Sequence, residues 1–197
     1  MNAQTPPDAA TARARLVRLL QGAYSGELAA TYAYVGHGRS LRDPVEREEI
    51  RAIEVQEHDH RTRVGRILAA LGAGPDARRE RRFTRIGKTI GLLCRLGGWY
   101  VPMYGAGRLE RGNIVEYEVA ARLAQAAGRP EFVEDLLDMA EVEWDHEAYF
   151  RAKVLSHPLR HVLRVWSAPP PRAEIRASFL RERAATSAAF AAASLRG

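Results

Sequence analysis

Apolar residues recur every three to four positions along most of the chain, and strict two-residue alternation is nowhere sustained. The pattern therefore predicts helices and no strands. The first stripe, Leu16, Leu20, Ala23, Tyr24, Thr31 and Tyr34, belongs to a helix over about 8–37, with Asp8 or Thr11 as N-cap. Gly36, Gly38 and Asp43-Pro44 punctuate the connection to a second helix, which runs from Pro44 to about Leu71 and stops at Gly72-Ala73-Gly74-Pro75. A third stripe, Met103, Ala106, Ile114, Tyr117, Ala121 and Ala124, predicts a helix from near Tyr100–Met103 to Gly128. The fourth runs from Glu131 to about Leu155 on Phe132, Leu136, Met139, Ala140, Phe150 and Val154, and Pro158 ends it. Between the second and third helices lies an apolar segment, Ile86 to Gly107; after Pro158 come an apolar, basic stretch, a Pro169-Pro170-Pro171 break and a last helix over 173–194. The expectation is an all-α protein: an antiparallel four-helix bundle (1–157) with an extra apolar helix and a C-terminal basic, helical extension (158–197).

Each of the four stripes is interrupted by an acid. Glu27 lies seven residues from both Leu20 and Tyr34, and Glu110 is central to the third stripe. Glu57 and His60 sit in the second stripe, and Glu143 and His146 repeat the same E-x-x-H spacing in the fourth. Residues three apart share a helix face, with Cβ atoms roughly 5–6 Å apart, so a carboxylate and an imidazole can reach one ion. A carboxylate is rarely buried unless it is paired or bound to a metal. Separations of 30 residues from Glu27 to Glu57 and 33 from Glu110 to Glu143 each allow a turn and a return to the same depth in an antiparallel neighbour. One Glu from each of two helices and Glu-x-x-His from each of the other two is the ligand pattern of carboxylate-bridged di-iron and di-manganese bundles. Two divalent ions balance four carboxylates that would otherwise repel, and the absence of thiolate argues against a closed structural zinc site. Tyr34 and Tyr117 share the metal-facing stripes, where a phenol either packs or hydrogen-bonds a carboxylate; Tyr117 is the candidate for a supporting role. His58 is rotated away from His60, and His37, His157 and His161 are expected in turns or at the surface.

The chain has 197 residues and one cysteine, Cys94, which excludes an internal disulfide framework. Met1 to Ala12 has no apolar core of the secretory kind, so a reducing, cytoplasmic setting is expected. The net charge of +6 suits an acidic partner surface, and no nucleic-acid recognition motif accompanies it. Arg78, Arg79, Arg81, Arg82, Arg85 and Lys88 cluster just before the apolar segment. That segment is too interrupted, by Lys88 and Arg95, to cross a membrane. It suits either a surface lying in the lipid headgroup zone, on the inner face of a membrane, or a helix covering the bundle end with its arginines solvated.

These residues resemble the ferritin-like di-iron superfamily, and within it the demethoxyubiquinone hydroxylase family of ubiquinone biosynthesis. Gly26-Glu27-Leu28-Ala29-Ala30 is similar to that family's G-E-x-x-A start, Glu57-His58-Asp59-His60 to its E-x-D-H, and Glu143-Trp144-Asp145-His146 to its closing E-x-x-H. Glu110 with Tyr117 seven residues on resembles its third-helix Glu and Tyr. The likeness spans about 19–150; the lead-in Gln21–Ser25 and the arm after Pro158 depart from the family. The resemblance implies two iron ions, with manganese as the other candidate, held by Glu27, Glu57, His60, Glu110, Glu143 and His146. It implies a monooxygenase that activates dioxygen and hydroxylates a small hydrophobic, quinone-like substrate. No flavin or nicotinamide fingerprint is visible, so an external electron donor is expected. The alternatives are a rubrerythrin- or bacterioferritin-like ferroxidase or peroxide reductase, and a non-catalytic iron-binding protein; a homo-oligomer is compatible with each.

Overall fold

The computed structural model describes residues 8–194. Most of the stretch on which the expectation about a secretory signal rests lies outside them. Six α-helices follow one another: α1 (Ala9–Ser40), α2 (Pro44–Ala70), α3 (Ala77–Leu96), α4 (Tyr100–Ala126), α5 (Val133–Ser156) and α6 (Arg172–Ser194). Single 3-10 turns at Pro130–Phe132 and Pro158–His161 precede α5 and follow it. No strand is present among the described residues, and no helix there is long and apolar enough to cross a membrane.

Local chemistry sets the helix ends. The Asp8, Asp43 and Asp76 carboxylates accept hydrogen bonds from backbone N–H groups in the first turns of α1, α2 and α3. At the other ends of α2 and α4, Gly72 and Gly128 take φ of 65° and 70°, a left-handed conformation that costs glycine least. There the N–H of Ala73 reaches Leu68 O and that of Arg129 reaches Ala124 O, both at 2.9 Å, satisfying carbonyls the helices would otherwise leave open.

The hairpins α1–α2 and α4–α5 pack together as a bundle. Each helix places its interrupting acid at the same level, so the core divides in two. On one side lie Leu16, Leu20, Val64, Ile67, Leu68, Ala121, Leu136 and Met139. On the other lie Tyr34, Ile50, Ile53, Tyr100, Met103, Phe150 and Val154. The acids and histidines form a polar layer between them. From the C-terminal stretch, Ile175 and Phe179 of α6 join the first apolar cluster. Trp166 lies against Gly107 and Phe150, and its indole N–H donates to Glu147 Oε1 at 2.7 Å.

Two sequence expectations are corrected. The basic cluster and the apolar segment are not separate features: α3 carries all six cations and the first half of the apolar run, the chain breaks at 97–99, and the rest belongs to α4. The helix lies along α1 rather than capping the bundle, because Gly87 meets the backbone of Ala29 and Gly91 meets those of Tyr32 and Gly36. Of the aromatic residues in that segment Tyr100 is buried, beside Met103, and half-buried Trp99 stacks on His157 and donates to Glu46 Oε2 at 2.7 Å. His37 is the second correction. The sequence places it in a turn, yet α1 continues through Gly36 and Gly38 to Ser40, and His37 is only 1 % exposed. Glycine inside a helix is tolerated there because α3 approaches too closely for a side chain at Gly36.

Candidate metal centre

Six residues meet in the polar layer, all of them buried: Glu27 from α1, Glu57 and His60 from α2, Glu110 from α4, Glu143 and His146 from α5. Their donor atoms form two overlapping groups, Glu27/Glu57/His60/Glu143 and Glu57/Glu110/Glu143/His146, and within each group the atoms lie within 4.8 Å of one another. Glu57 and Glu143 belong to both.

The layer has an approximate twofold logic. His60 Nδ1 lies 3.0 Å from Glu143 Oε1, and His146 Nδ1 lies 3.2 Å from Glu57 Oε1, so each imidazole faces the other motif's carboxylate. The second contact lacks hydrogen-bond geometry, which leaves His146 Nδ1 unpartnered. The phenols cross in the same manner: Tyr34 on α1 donates to Glu110, and Tyr117 on α4 donates to Glu27. Each tyrosine follows its own helix's glutamate by seven residues, two turns, and serves the other's.

Burial and mutual repulsion dominate the electrostatics. Glu27 is held well above the usual carboxylate range by burial and then by Glu57. Glu57 is raised by burial, Glu143 and Glu110, and Glu110 by burial and Glu143. Burial also opposes ionisation of Glu143, but the adjacent imidazoles of His146 and His60 outweigh it and hold that group below the usual range. Both phenols are raised well above the ordinary tyrosine value by burial and then by the carboxylate each contacts, and so stay protonated.

The donor set fits bound cations. Glu27 Oε2, both oxygens of Glu57 and His146 Nδ1 are buried without a hydrogen-bond partner, and an unsatisfied buried polar group costs about 1–3 kcal/mol, more when charged. A metal ion satisfies these atoms and offsets the carboxylate repulsion together. Oxygen donors with imidazole suit iron, manganese or other divalent ions of intermediate hardness.

Supporting residues fix the orientation. The Asn113 amide donates to Glu110 Oε2 at 2.9 Å and to Glu143 Oε2 at 3.4 Å, linking two carboxylates. His146 Nε2 lies 2.8 Å from Gln56 Oε1, which leaves Nδ1 turned to the cluster as the lone-pair nitrogen. The sequence reading missed both. Asn113 had a signal: it stands three residues after Glu110, where the E-x-x-H motifs carry histidine. Gln56 had none, because it is exposed and its partner, His146, is on another helix. His58 is exposed, as its rotation from His60 requires. Of the six basic residues Arg78, Arg79, Arg81, Arg82, Arg85 and Lys88, none reaches the cluster; four arginines line a separate surface hollow on α3.

A cavity of about 930 Å³ opens beside the cluster between α1, α3 and α4. Glu27, Glu110, Asn113 and Tyr117 form its polar end, and Ala30, Ala33, Ile90, Leu93, Pro102 and Ala106 form much of the rest. Its size falls at the upper end for small-molecule sites. No family model, curated protein or solved structure matches the chain significantly.

Proposed function

We propose that the chain is a ferritin-like di-iron oxidoreductase, with manganese as the alternative metal, that activates dioxygen and hydroxylates a small hydrophobic substrate. The observation that carries the reading is the pair of overlapping four-residue donor sets sharing Glu57 and Glu143. Glu27, Glu57, His60, Glu110, Glu143 and His146 would together hold such a pair of ions, Glu57 and Glu143 belonging to both donor sets. When bound, the metal pair supplies the redox equivalents and Lewis acidity for dioxygen reduction. Hydroxylation of one C–H bond consumes one O2, two further electrons and two protons and releases water, so a reductant from outside the chain is required.

The protein's own groups do the rest. Tyr34 and Tyr117 hold protons against Glu110 and Glu27 and restrict those carboxylates to a few orientations. Asn113 ties Glu110 to Glu143, and Gln56 orients the His146 ring. The two apolar clusters wall the site from water on both sides. The cavity is lined at one end by the buried Glu27 and Glu110 and is otherwise largely apolar, which suits the quinone-like class that the motif resemblance implies.

The same face suits an anionic lipid surface as partner. Leu92, Leu93, Leu96, Val101 and Leu109 are each 58–73 % exposed. Leu93, Val101 and Leu109 also line the cavity. The exposed Arg85, Lys88, Arg95 and Arg108 flank them. Apolar side chains ringed by cations match the headgroup boundary, where an apolar substrate is most concentrated. Flotation with phosphatidylglycerol vesicles tests this: a double Leu92→Ser, Leu96→Ser variant is expected to stay in the unbound fraction, and flotation equal to wild type refutes it.

Metal analysis tests the central reading. Anaerobic loading with Fe(II) is expected to give two ions per chain in the wild type and at most one in Glu57→Gln or Glu143→Gln; one ion or none in the wild type overturns it. With loaded protein, reductant and ¹⁸O₂, a demethoxyquinone analogue is expected to gain one ¹⁸O. Oxidation of Fe(II) or consumption of peroxide with no label in the organic product refutes the hydroxylase and leaves the ferroxidase.

A further inference from the structure

The arginines of α3 are a charged feature for which the metal centre has no use. Elsewhere Arg61, Arg63, Arg122 and Arg176 each reach a carboxylate at 2.5–2.8 Å. On α3, Arg78, Arg81, Arg82 and Arg85 stand exposed within two turns of one another and share one surface hollow with Ile86. Among the described residues none of these four guanidinium groups forms an ion pair or a hydrogen bond. The nearby acids are already committed: Asp76 accepts from the N–H groups of Arg78 and Arg79, and Glu80 pairs with Arg61. Like charges side by side repel, and an anionic partner relieves that cost. The hollow also has a definite place against the metal centre. α3 runs parallel to α1, with Arg79 beside Gly22, Gly87 on Ala29 and Gly91 on Tyr32, so Arg85 stands level with Glu27. The hollow thus lies outside the polar layer, across α3 and α1 from it.

Resting on the oxidoreductase reading above, we infer that this hollow is the docking face for an acidic electron-carrier protein, the external reductant that the proposed hydroxylation requires. Guanidinium forks pair bidentately with clustered carboxylates. A nucleic acid is disfavoured, because none of the lining residues is aromatic and a base has nothing to stack on. A lipid surface is disfavoured because Ile86 is the single apolar residue of the hollow, and the exposed Leu92, Leu93 and Leu96 lie at the other end of α3. Each encounter passes one electron from the carrier, which is oxidised, to the chain. Two encounters supply the pair of electrons drawn per hydroxylation. Such encounters are steered by charge and sensitive to salt, and they need little buried apolar area.

The test uses the full chain. With metal chelated, an acidic plant-type ferredoxin is titrated against it by isothermal calorimetry. Binding is expected to be saturable and to weaken about tenfold between 20 mM and 200 mM salt. The triple variant Arg78→Gln, Arg81→Gln, Arg82→Gln is expected to weaken it about tenfold as well. A control of equal charge loss, with glutamine at the exposed Arg42, Arg51 and Arg66, is expected to weaken it less than about twofold. No binding, equal binding by the triple variant, or an equal loss in the control overturns the assignment. So does equal affinity for parvalbumin, an acidic protein without a redox group, or tighter binding of an oligothymidylate by these arginines. Loss of phosphatidylglycerol-vesicle flotation in the triple variant, which keeps Arg85, also overturns it in favour of lipid. Should the triple variant not fold, phenylglyoxal modification of the wild type decides. Ferredoxin is expected to shield the four hollow arginines and leave Arg42, Arg51 and Arg66 reactive; uniform labelling overturns the proposal. With iron loaded, the rate of reduction by ferredoxin relative to that by dithionite is expected to fall about tenfold in the triple variant; an unchanged ratio overturns the electron-carrier role. Docking without iron binding keeps the docking face and removes the di-iron reading, and iron binding without docking removes only the docking face.

Discussion

Substitution of Gly36 by alanine is the sharpest test of how α3 is held. A Cβ built at Gly36 falls 2.0 Å from the carbonyl oxygen of Gly91, and 2.5 Å and 2.6 Å from its carbonyl carbon and Cα. Ordinary contact begins near 3.4 Å, so α1 and α3 must separate by about 1.4 Å. Both sides of the contact are backbone, and no rotamer change can relieve it. Overpacking of this kind costs about 1–3 kcal/mol, and here the upper part of that range applies. Alanine recovers about 1 kcal/mol of helix propensity. The net loss is about 1–2 kcal/mol, or roughly 2–8 °C in Tm for a chain of this length. Gly112 supplies the control, since it is exposed on α4 with nothing within 4 Å of a Cβ. Its alanine variant is expected to melt about 2–4 °C higher by the propensity gain alone. The assay is thermal unfolding followed by circular dichroism on metal-free protein, with the rate of Cys94 alkylation as a second readout. Because α3 forms one wall of the cavity, Gly36→Ala is expected to speed that alkylation as well. A Gly36→Ala variant that melts with or above Gly112→Ala refutes the account of the α1–α3 seam.

Other expectations follow from single groups. His37 binds a proton near pH 6.5 when unfolded but only near pH 4 when folded. Its contribution is therefore fully present above pH 6.5 and is lost as the pH falls towards 4; at pH 5 the wild type should have lost about 2 kcal/mol more than His37→Gln. Urea titrations between pH 4.5 and 7 check this, and parallel profiles refute it. Trp166→Phe removes the N–H donor to buried Glu147 and leaves that carboxylate with Arg151 alone. It is expected to cost about 1–3 kcal/mol and to make residues 162–170 more susceptible to protease, which mass spectrometry of the fragments reads out. Arg176 reaches Glu134, Asp138 and Glu141 of α5 from α6. Arg176→Met is expected to cost about 1 kcal/mol, mostly abolished in 1 M salt, with amide exchange accelerated in α6; equal exchange would show that Ile175 and Phe179 hold the helix alone.

Periodicity and ligand spacing were legible in the chain before any coordinates. An apolar residue every third or fourth position states which face of a helix turns inward, and an acid within that face states that something buried must balance it. Glu27, Glu57, Glu110 and Glu143 were therefore visible one helix at a time, and the repeated E-x-x-H told which two helices add an imidazole. Relations between helices were not visible, because they depend on axial register and rotation, and no residue encodes these alone. The crossing of Tyr34 to Glu110 and Tyr117 to Glu27, the Asn113 link to Glu143, and the hold of Gln56 on His146 all join residues of different helices. The glycines show the same limit. Gly36, read locally, is a helix breaker; in the folded chain it is the point where α3 comes closest to α1. That approach keeps α1 helical past His37 and closes α3 over the cavity. Local sequence sets the cost of a conformation, and only the packed neighbour decides whether that cost is offset.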